Sequence, residues 1–201
     1  MNQPKLFLKL TILIAALLGL TAIASAQSDD KLRPEPNFEI TLHVLVGSND
    51  AGRADLPAGL AGVAKQLRST FPYSSYRVAS TFMGRVGNNG SFEYKSVADL
   101  LGPQTDAEPA TFLEWSVGAI RVVENGYMAQ SFRFGARIPV KTMISGGEPG
   151  KSTQVVNYEA IGLNFARVGV RDNVPTLFGT LTLPRTGGTL FLVMTVTRAD
   201  R

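Results

Sequence analysis

Phe112-Leu113-Glu114-Trp115-Ser116-Val117-Gly118-Ala119-Ile120-Arg121-Val122-Val123 and Tyr127-Met128-Ala129-Gln130-Ser131-Phe132-Arg133-Phe134 are two runs rich in β-branched and aromatic residues. Between them stands Glu124-Asn125-Gly126, and Asn-Gly supplies the positive φ angles of a tight hairpin turn. The same grammar continues downstream. Arg137 to Met143, Gln154 to Val170, Leu177 to Leu183 and Thr189 to Thr197 read as further strands, and Gly187-Gly188 marks a second tight joint between the last two. An antiparallel meander or sandwich over residues 111–198 follows. No repeat at a fixed period accompanies it, which disfavours a propeller or solenoid.

Upstream, the pattern changes. Phe38, Ile40, Leu42 and Val44 alternate with Glu39, Thr41 and His43, the period of a strand with one buried face. Gly47-Ser48-Asn49-Asp50 closes that run. Asp55 is placed to cap a helix with Pro57 in its first turn, and Leu60, Val63, Ala64, Leu67 and Phe71 recur at helical spacing until Pro72. Tyr76 to Val86, a Gly87-Asn88-Asn89-Gly90 turn and Ser91 to Val97 then read as a hairpin, with a short helical turn over 97–101. The fold class is therefore α+β: an N-terminal β-α-β-β module over 38–101, a Pro-containing linker over 102–110, and the antiparallel β module over 111–198.

The first 26 residues have the three regions of a signal peptide. Lys5 and Lys9 precede an apolar run from Leu10 to Ile23, and Ala24-Ser25-Ala26 fits the cleavage site, so export with cleavage before Gln27 is expected. That run is short for a bilayer helix, and no cysteine offers a lipid attachment site, so no stable membrane anchor is expected after cleavage. Gln27 to Asn37 reads as a polar tether. Losing residues 1–26 removes two lysines and no acid, lowering the formal net charge from +4 to +2. The remaining basic residues are interspersed with acidic ones, which excludes a nucleic-acid stripe. The expected compartment is the periplasm or the exterior, in a chain without disulfides.

Candidate chemistry is sparse. Ser145-Gly146-Gly147-Glu148-Pro149-Gly150-Lys151-Ser152 imitates a phosphate loop, but Ser145 replaces the first glycine, Pro149 removes an amide donor, and strand-forming residues follow where a helix should begin. No nucleotide is expected there. A single histidine, His43, and no cysteine cannot build an ordinary metal site, and no calcium loop spacing appears. Nor does any nucleophile elbow surround Ser48 or Ser69. Paired carboxylates are the remaining enzymatic option, with Glu93, Glu114, Glu124 and Glu159 as candidates and no spacing that singles out a couple. Phe71, Tyr73 and Tyr76 read as a seal between helix and sheet, and Trp115 as a core or inter-sheet anchor. Neither catalytic, cofactor-binding nor metal residues are assigned, and no cofactor is expected.

Gly135-Ala136-Arg137-Ile138-Pro139-Val140, a polar loop, and Val155-Val156-Asn157-Tyr158-Glu159-Ala160-Ile161-Gly162-Leu163-Asn164-Phe165 together resemble a stretch of bacterial secretins. In that family a Gly-x-x-Ile-Pro strand leads through a polar loop to Val-x-Tyr-x-x-Val-Gly-Val-x-Leu. A proline-containing strand that follows in the family is displaced here to Val174-Pro175. The resemblance covers residues 135–165. It implies the multimeric outer-membrane channels of type II and III secretion and type IV pili, with this chain as a small relative or accessory. The chain's last residues, Val196 to Arg201, lack the terminal aromatic girdle of an ordinary outer-membrane barrel. The expected function is thus a non-catalytic envelope protein acting through contacts with an envelope protein partner or with itself, at the 38–46 strand and the 145–153 loop. The alternatives are a small secreted hydrolase using carboxylates and a soluble carrier of an apolar ligand.

Overall fold

Alternation of apolar and polar residues at period two makes strands that each own one apolar face, and two such sheets bury those faces against each other. In the computed structural model, which describes residues 36–49, 56–97, 109–145, 152–184 and 188–199, this gives eight strands and one short helix. They are β1 (Asn37–Ser48), α1 (Ala61–Thr70), β2 (Ser75–Gly87), β3 (Phe92–Val97), β4 (Phe112–Val123), β5 (Gly126–Ser145), β6 (Ser152–Val170), β7 (Thr176–Thr182) and β8 (Thr189–Arg198). A 3-10 turn, Ala58–Leu60, leads into α1. Sheet A has the order β2-β1-β8-β7 and sheet B the order β3-β4-β5-β6, every pair antiparallel. Residues Pro36–Arg201 form one compact unit.

The mainly antiparallel architecture is the one expected, but the N-terminal elements do not close into a β-α-β-β sheet of their own. β2 pairs with β1 in sheet A, whereas β3 pairs with β4 in sheet B. The Gly87–Gly90 turn therefore carries the chain from one sheet to the other. It is held there by β4: the Asn89 N–H donates to the Ile120 carbonyl at 2.7 Å, and the Ile120 N–H to the Gly90 carbonyl at 3.4 Å. A second correction concerns the expected break after Phe134. β5 runs unbroken through Gly135, because it pairs with β6 continuously from Ser131 to Ser145. Pro139 is tolerated because it lies past Arg137, the last β5 residue paired with β4, where one side of the strand is open.

The core has two parts. Between the sheets, Phe38, Ile40, Leu42 and Val44 of β1 and Leu190, Leu192, Met194 and Val196 of β8 meet Trp115, Val117, Phe132, Phe134 and Ile138 of sheet B. On the other side of sheet A, Leu60, Val63 and Leu67 pack on Leu45, Tyr76, Phe191 and Val193. β8 is consequently apolar on both faces, as a strand covered on both sides must be. Phe71, Tyr73 and Tyr76 do form the seal, Phe71 and Tyr73 edge-on and Tyr76 tilted against Phe191, with centroids 4.8–6.2 Å away. The Tyr76 hydroxyl finishes the joint by donating to the Leu67 carbonyl at 3.0 Å, at the C-terminal end of α1. Asp55, the expected cap, and the helical turn and linker over 98–108 lie outside the described residues.

Sheet B bends along one line. Inward-facing residues on β4 run Leu113, Trp115, Val117 and then Ile120; on β5, Tyr127, Ala129 and then Phe132, Phe134; on β6, Ile161, Leu163, Phe165 and then Val168, Val170. Each strand changes parity at the row Ala119, Gln130, Arg167, where pairing lapses. Ala119 (φ 42°) and Arg167 (φ 55°) take the left-handed conformation that makes the switch possible. Changing all three strands together keeps the ladder in register on both sides of the bend.

Candidate functional site

Topology decides which segments are available. The 38–46 strand, expected as a contact segment, is interior: β8 returns to pair with β1 from Phe38 to Gly47, so β1 has neighbours on both sides and offers no free edge. Of the 145–153 loop, residues 146–151 lie outside the described residues. The free edges are β2 and β7 in sheet A and β3 and β6 in sheet B.

Three of these edges carry features that blunt strand addition. β3 has six residues and an exposed Lys95–Glu93 ion pair at 2.9 Å. β7 has seven residues, follows Pro175 and slips register between Leu177 and Gly179. β2 carries Arg77 and Arg85 and is bulged opposite Val44/Leu45. Charges, brevity, prolines and bulges are the devices by which natural sheets resist pairing with other chains. β6 is the longest of the four, and its own irregularity, at Arg167, lies three residues from its end. It has 19 residues, Ser152–Val170, with neither lysine nor proline and with Glu159 and Arg167 as its charged side chains. Asn157 to Ala160, Gly162 and Asn164 are exposed.

Beside this edge lies a shallow depression of about 1070 Å³ on the outer face of sheet B. Its rows follow the strand register: Lys95, Glu114, Gly135 and Gly162 face each other across the sheet, with Arg133 and Asn164 in the row on one side and Phe112, Arg137 and Ala160 on the other. The floor is low because Gly162 has no side chain. A methyl there would stand 2.7 Å from the Phe134 carbonyl oxygen, so β5 and β6 approach too closely for one. Phe112 and Tyr158, both exposed, form an aromatic pair 5.7 Å apart at the end of the depression nearer the β5–β6 loop. From residue 138 onward β5 has only β6 beside it, and this two-stranded ribbon exposes Met143, Ile144 and Val156.

The carboxylate candidates fall out differently. Glu114 and Glu124 sit at opposite ends of β4, ten residues apart in a strand rising ~3.3 Å per residue. Glu159 lies on β6 opposite Ile138. Glu93 and Glu114 are diagonal neighbours across β3 and β4, but Lys95 stands between them. The Lys95 ammonium holds the Glu93 carboxyl below its usual range, and Glu93 raises Lys95 in turn. A general acid needs its carboxyl raised. The depression itself has one acidic residue, Glu114, in its lining.

His43 faces away from the sandwich core, as its place in the alternation implies, and its Nδ1 lies 2.9 Å from Thr81 Oγ1. It is half-buried rather than a surface group. Burial lowers its pKa from the ordinary 6.5. Because the folded state holds it neutral while the unfolded chain protonates, unfolding takes up a proton as the pH falls through the ordinary value toward the folded one. Stability is therefore expected to fall as the pH drops below about 7, and His43→Gln to flatten that slope, read from urea midpoints at each pH. An unchanged slope in the variant would assign it to other groups.

No family model matches the chain, and no curated protein is similar to it. Among solved structures it is similar to one described as the InvG secretin domain β-barrel from the Salmonella SPI-1 injectisome NC-base, at 10% sequence identity and a TM-score of 0.25. The match covers 83% of this chain and 64% of that one, so the chain spans less than two thirds of the structure it matches. That structure comes from the family that residues 135–165 resemble.

Proposed function

We propose that this is an exported, non-catalytic envelope protein that acts by adding a strand to, or accepting one from, another protein at the open edge of β6. The observation that carries the reading is the length and composition of that edge: 19 residues with no lysine or proline, in a molecule whose other three edges are short, bulged or charged. Main-chain hydrogen bonds along such an edge supply affinity, and side chains alternating to the two faces supply selectivity. The signal-peptide pattern of residues 1–26 supports export, with cleavage before Gln27 and a periplasmic or extracellular destination. The secretin-like segment, residues 135–165, includes most of β5 and β6, and it supports a role as a small relative or accessory of a secretin-type assembly. A photoreactive residue at Asn164 on β6 is expected to give discrete adducts in intact cells, and one at Arg85 on β2 to give none.

A further inference from the structure

The outer face of sheet B carries an ordered series of charges one strand in from the β6 edge. Arg133 and Arg137 stand on β5 with Gly135 midway between them. That glycine leaves room for Glu114 of β4: a methyl at Gly135 would lie 3.3 Å from the Glu114 carboxylate oxygen, so the carboxyl rests against the glycine. The series along β5 is thus positive, negative, positive, and all three charged residues line the depression. None of them has an ion-pair partner among the described residues, and Lys95, on the Glu114 row, is ion-paired with Glu93. Between the series and the edge stand only Ala160, Gly162 and Asn164, the β6 residues opposite Arg137, Gly135 and Arg133. We propose that the strand received at β6 carries the sequence acidic, apolar, basic, apolar, acidic, and that Arg137, Glu114 and Arg133 select it. This rests on the reading of β6 as the contact edge and names the chemistry of its partner.

Neighbouring strands lie about 4.8 Å apart, so a residue of the added strand stands about 10 Å from β5 in the same row. What lies between is a methyl at Ala160, a hydrogen at Gly162 and a short amide at Asn164. Two long side chains of opposite charge, one from each side, close such a span above them. An acid opposite Ala160 meets Arg137, a base opposite Gly162 meets Glu114, and an acid opposite Asn164 meets Arg133. The two residues between these point to the other face, beside Ile161 and Leu163. Both are half-buried and already packed against the inter-sheet core, so apolar residues there extend its layer. The register uses residues 160–164, where β6 pairs with β5 at every position, short of the irregularity at Arg167. Because the pattern reads the same from both ends, it fits parallel and antiparallel addition alike. No basic residue among these 201 has an acid two positions away on both sides, so the partner is a different protein rather than a second copy.

The test is isothermal titration calorimetry of the full-length protein with two synthetic peptides carried to millimolar concentration. One is Thr-Thr-Glu-Val-Lys-Val-Glu-Thr-Thr and the other its charge inverse, Thr-Thr-Lys-Val-Glu-Val-Lys-Thr-Thr. The first is expected to bind roughly tenfold or more tightly than the second. Arg133→Glu with Arg137→Glu is expected to abolish that preference, and Glu114→Lys added to the pair to reverse it. Circular dichroism confirms that each variant is folded; if the triple exchange is not, Arg133→Glu and Arg137→Glu singly carry the comparison, each expected to narrow the preference by roughly threefold. Equal binding of the two peptides, binding of neither, or a preference that survives the exchanges overturns the proposal. Should the peptides fail while Asn164 still cross-links to another protein in intact cells, selection by these charges falls and the strand-addition reading stands; with no adducts either, both fall.

Discussion

Trp115→Ala is expected to destabilise the fold by about 3–5 kcal/mol, read as a lowered urea midpoint at unchanged slope. Trp115 is 1% exposed and ties the two sheets together: its ring lies 5.0 Å from Phe92 and 6.5 Å from Tyr94 on β3, and 6.4 Å from Phe82 on β2 across the sandwich. An alanine would leave a cavity under three aromatic rings from two strands, one in each sheet. Against a typical total of about 5–15 kcal/mol, that loss is large. Trp115→Phe separates packing from polarity. The indole N–H is buried and meets no hydrogen-bond partner among the described residues, so phenylalanine sacrifices volume but no hydrogen bond. A cost of about 1–2 kcal/mol is expected for it. Equal costs for the two variants would contradict the account of the anchor.

Gly126→Ala has the second large effect, expected at about 2–4 kcal/mol. Gly126 opens β5 with φ 139°, a conformation L side chains rarely adopt. A methyl there would also run into the Val170 carbonyl oxygen and lie 3.0 Å from Arg171 Cα. Both obstacles are backbone, so relief requires moving the end of β6. Gly169→Ala is the matched control, since a methyl at Gly169 meets nothing within 4 Å. It is expected to be neutral or slightly stabilising, because a strand glycine loses more freedom on folding than alanine. A Gly126→Ala protein as stable as the Gly169→Ala one would show that the turn is built differently.

These positions also show how far the sequence could be read. The Asn125-Gly126 joint is real, with Val123 paired to Gly126, but the two residues of the loop are Glu124 and Asn125, and the glycine belongs to the strand. Alternation found β1, β6 and β8 to within a residue or two, because each has a strongly apolar face. Partners are another matter. Nothing in Phe38 to Val44 says that β8, the last strand of the chain, returns to cover its edge. Gly87-Asn88-Asn89-Gly90 has hairpin chemistry, yet the turn links two sheets: β3 takes β4 as its hydrogen-bonded partner, and Tyr94 meets Phe82 of β2 through side chains across the sandwich, 5.0 Å away.

The edge proposed for contact was hidden for the same reason. A strand's periodicity reports which face is buried, not whether its edge is occupied, so nothing in the pattern of 38–46 showed that its edges are taken. What the composition did hold is that β6 lacks the lysines and prolines that guard an edge. The parity change at Ala119, Gln130 and Arg167 was legible too, as a one-residue shift in three neighbouring apolar patterns. It acquires meaning once the strands are known to lie side by side.

The most direct test of the account is photo-cross-linking in intact cells from one exposed position on each edge: Asn164 on β6, Arg85 on β2, Lys95 on β3 and Thr180 on β7. Discrete adducts from Asn164 and none from the other three are the predicted result. Adducts from Arg85, Lys95 or Thr180 with none from Asn164, or equal labelling from all four, would contradict β6 as the contact surface.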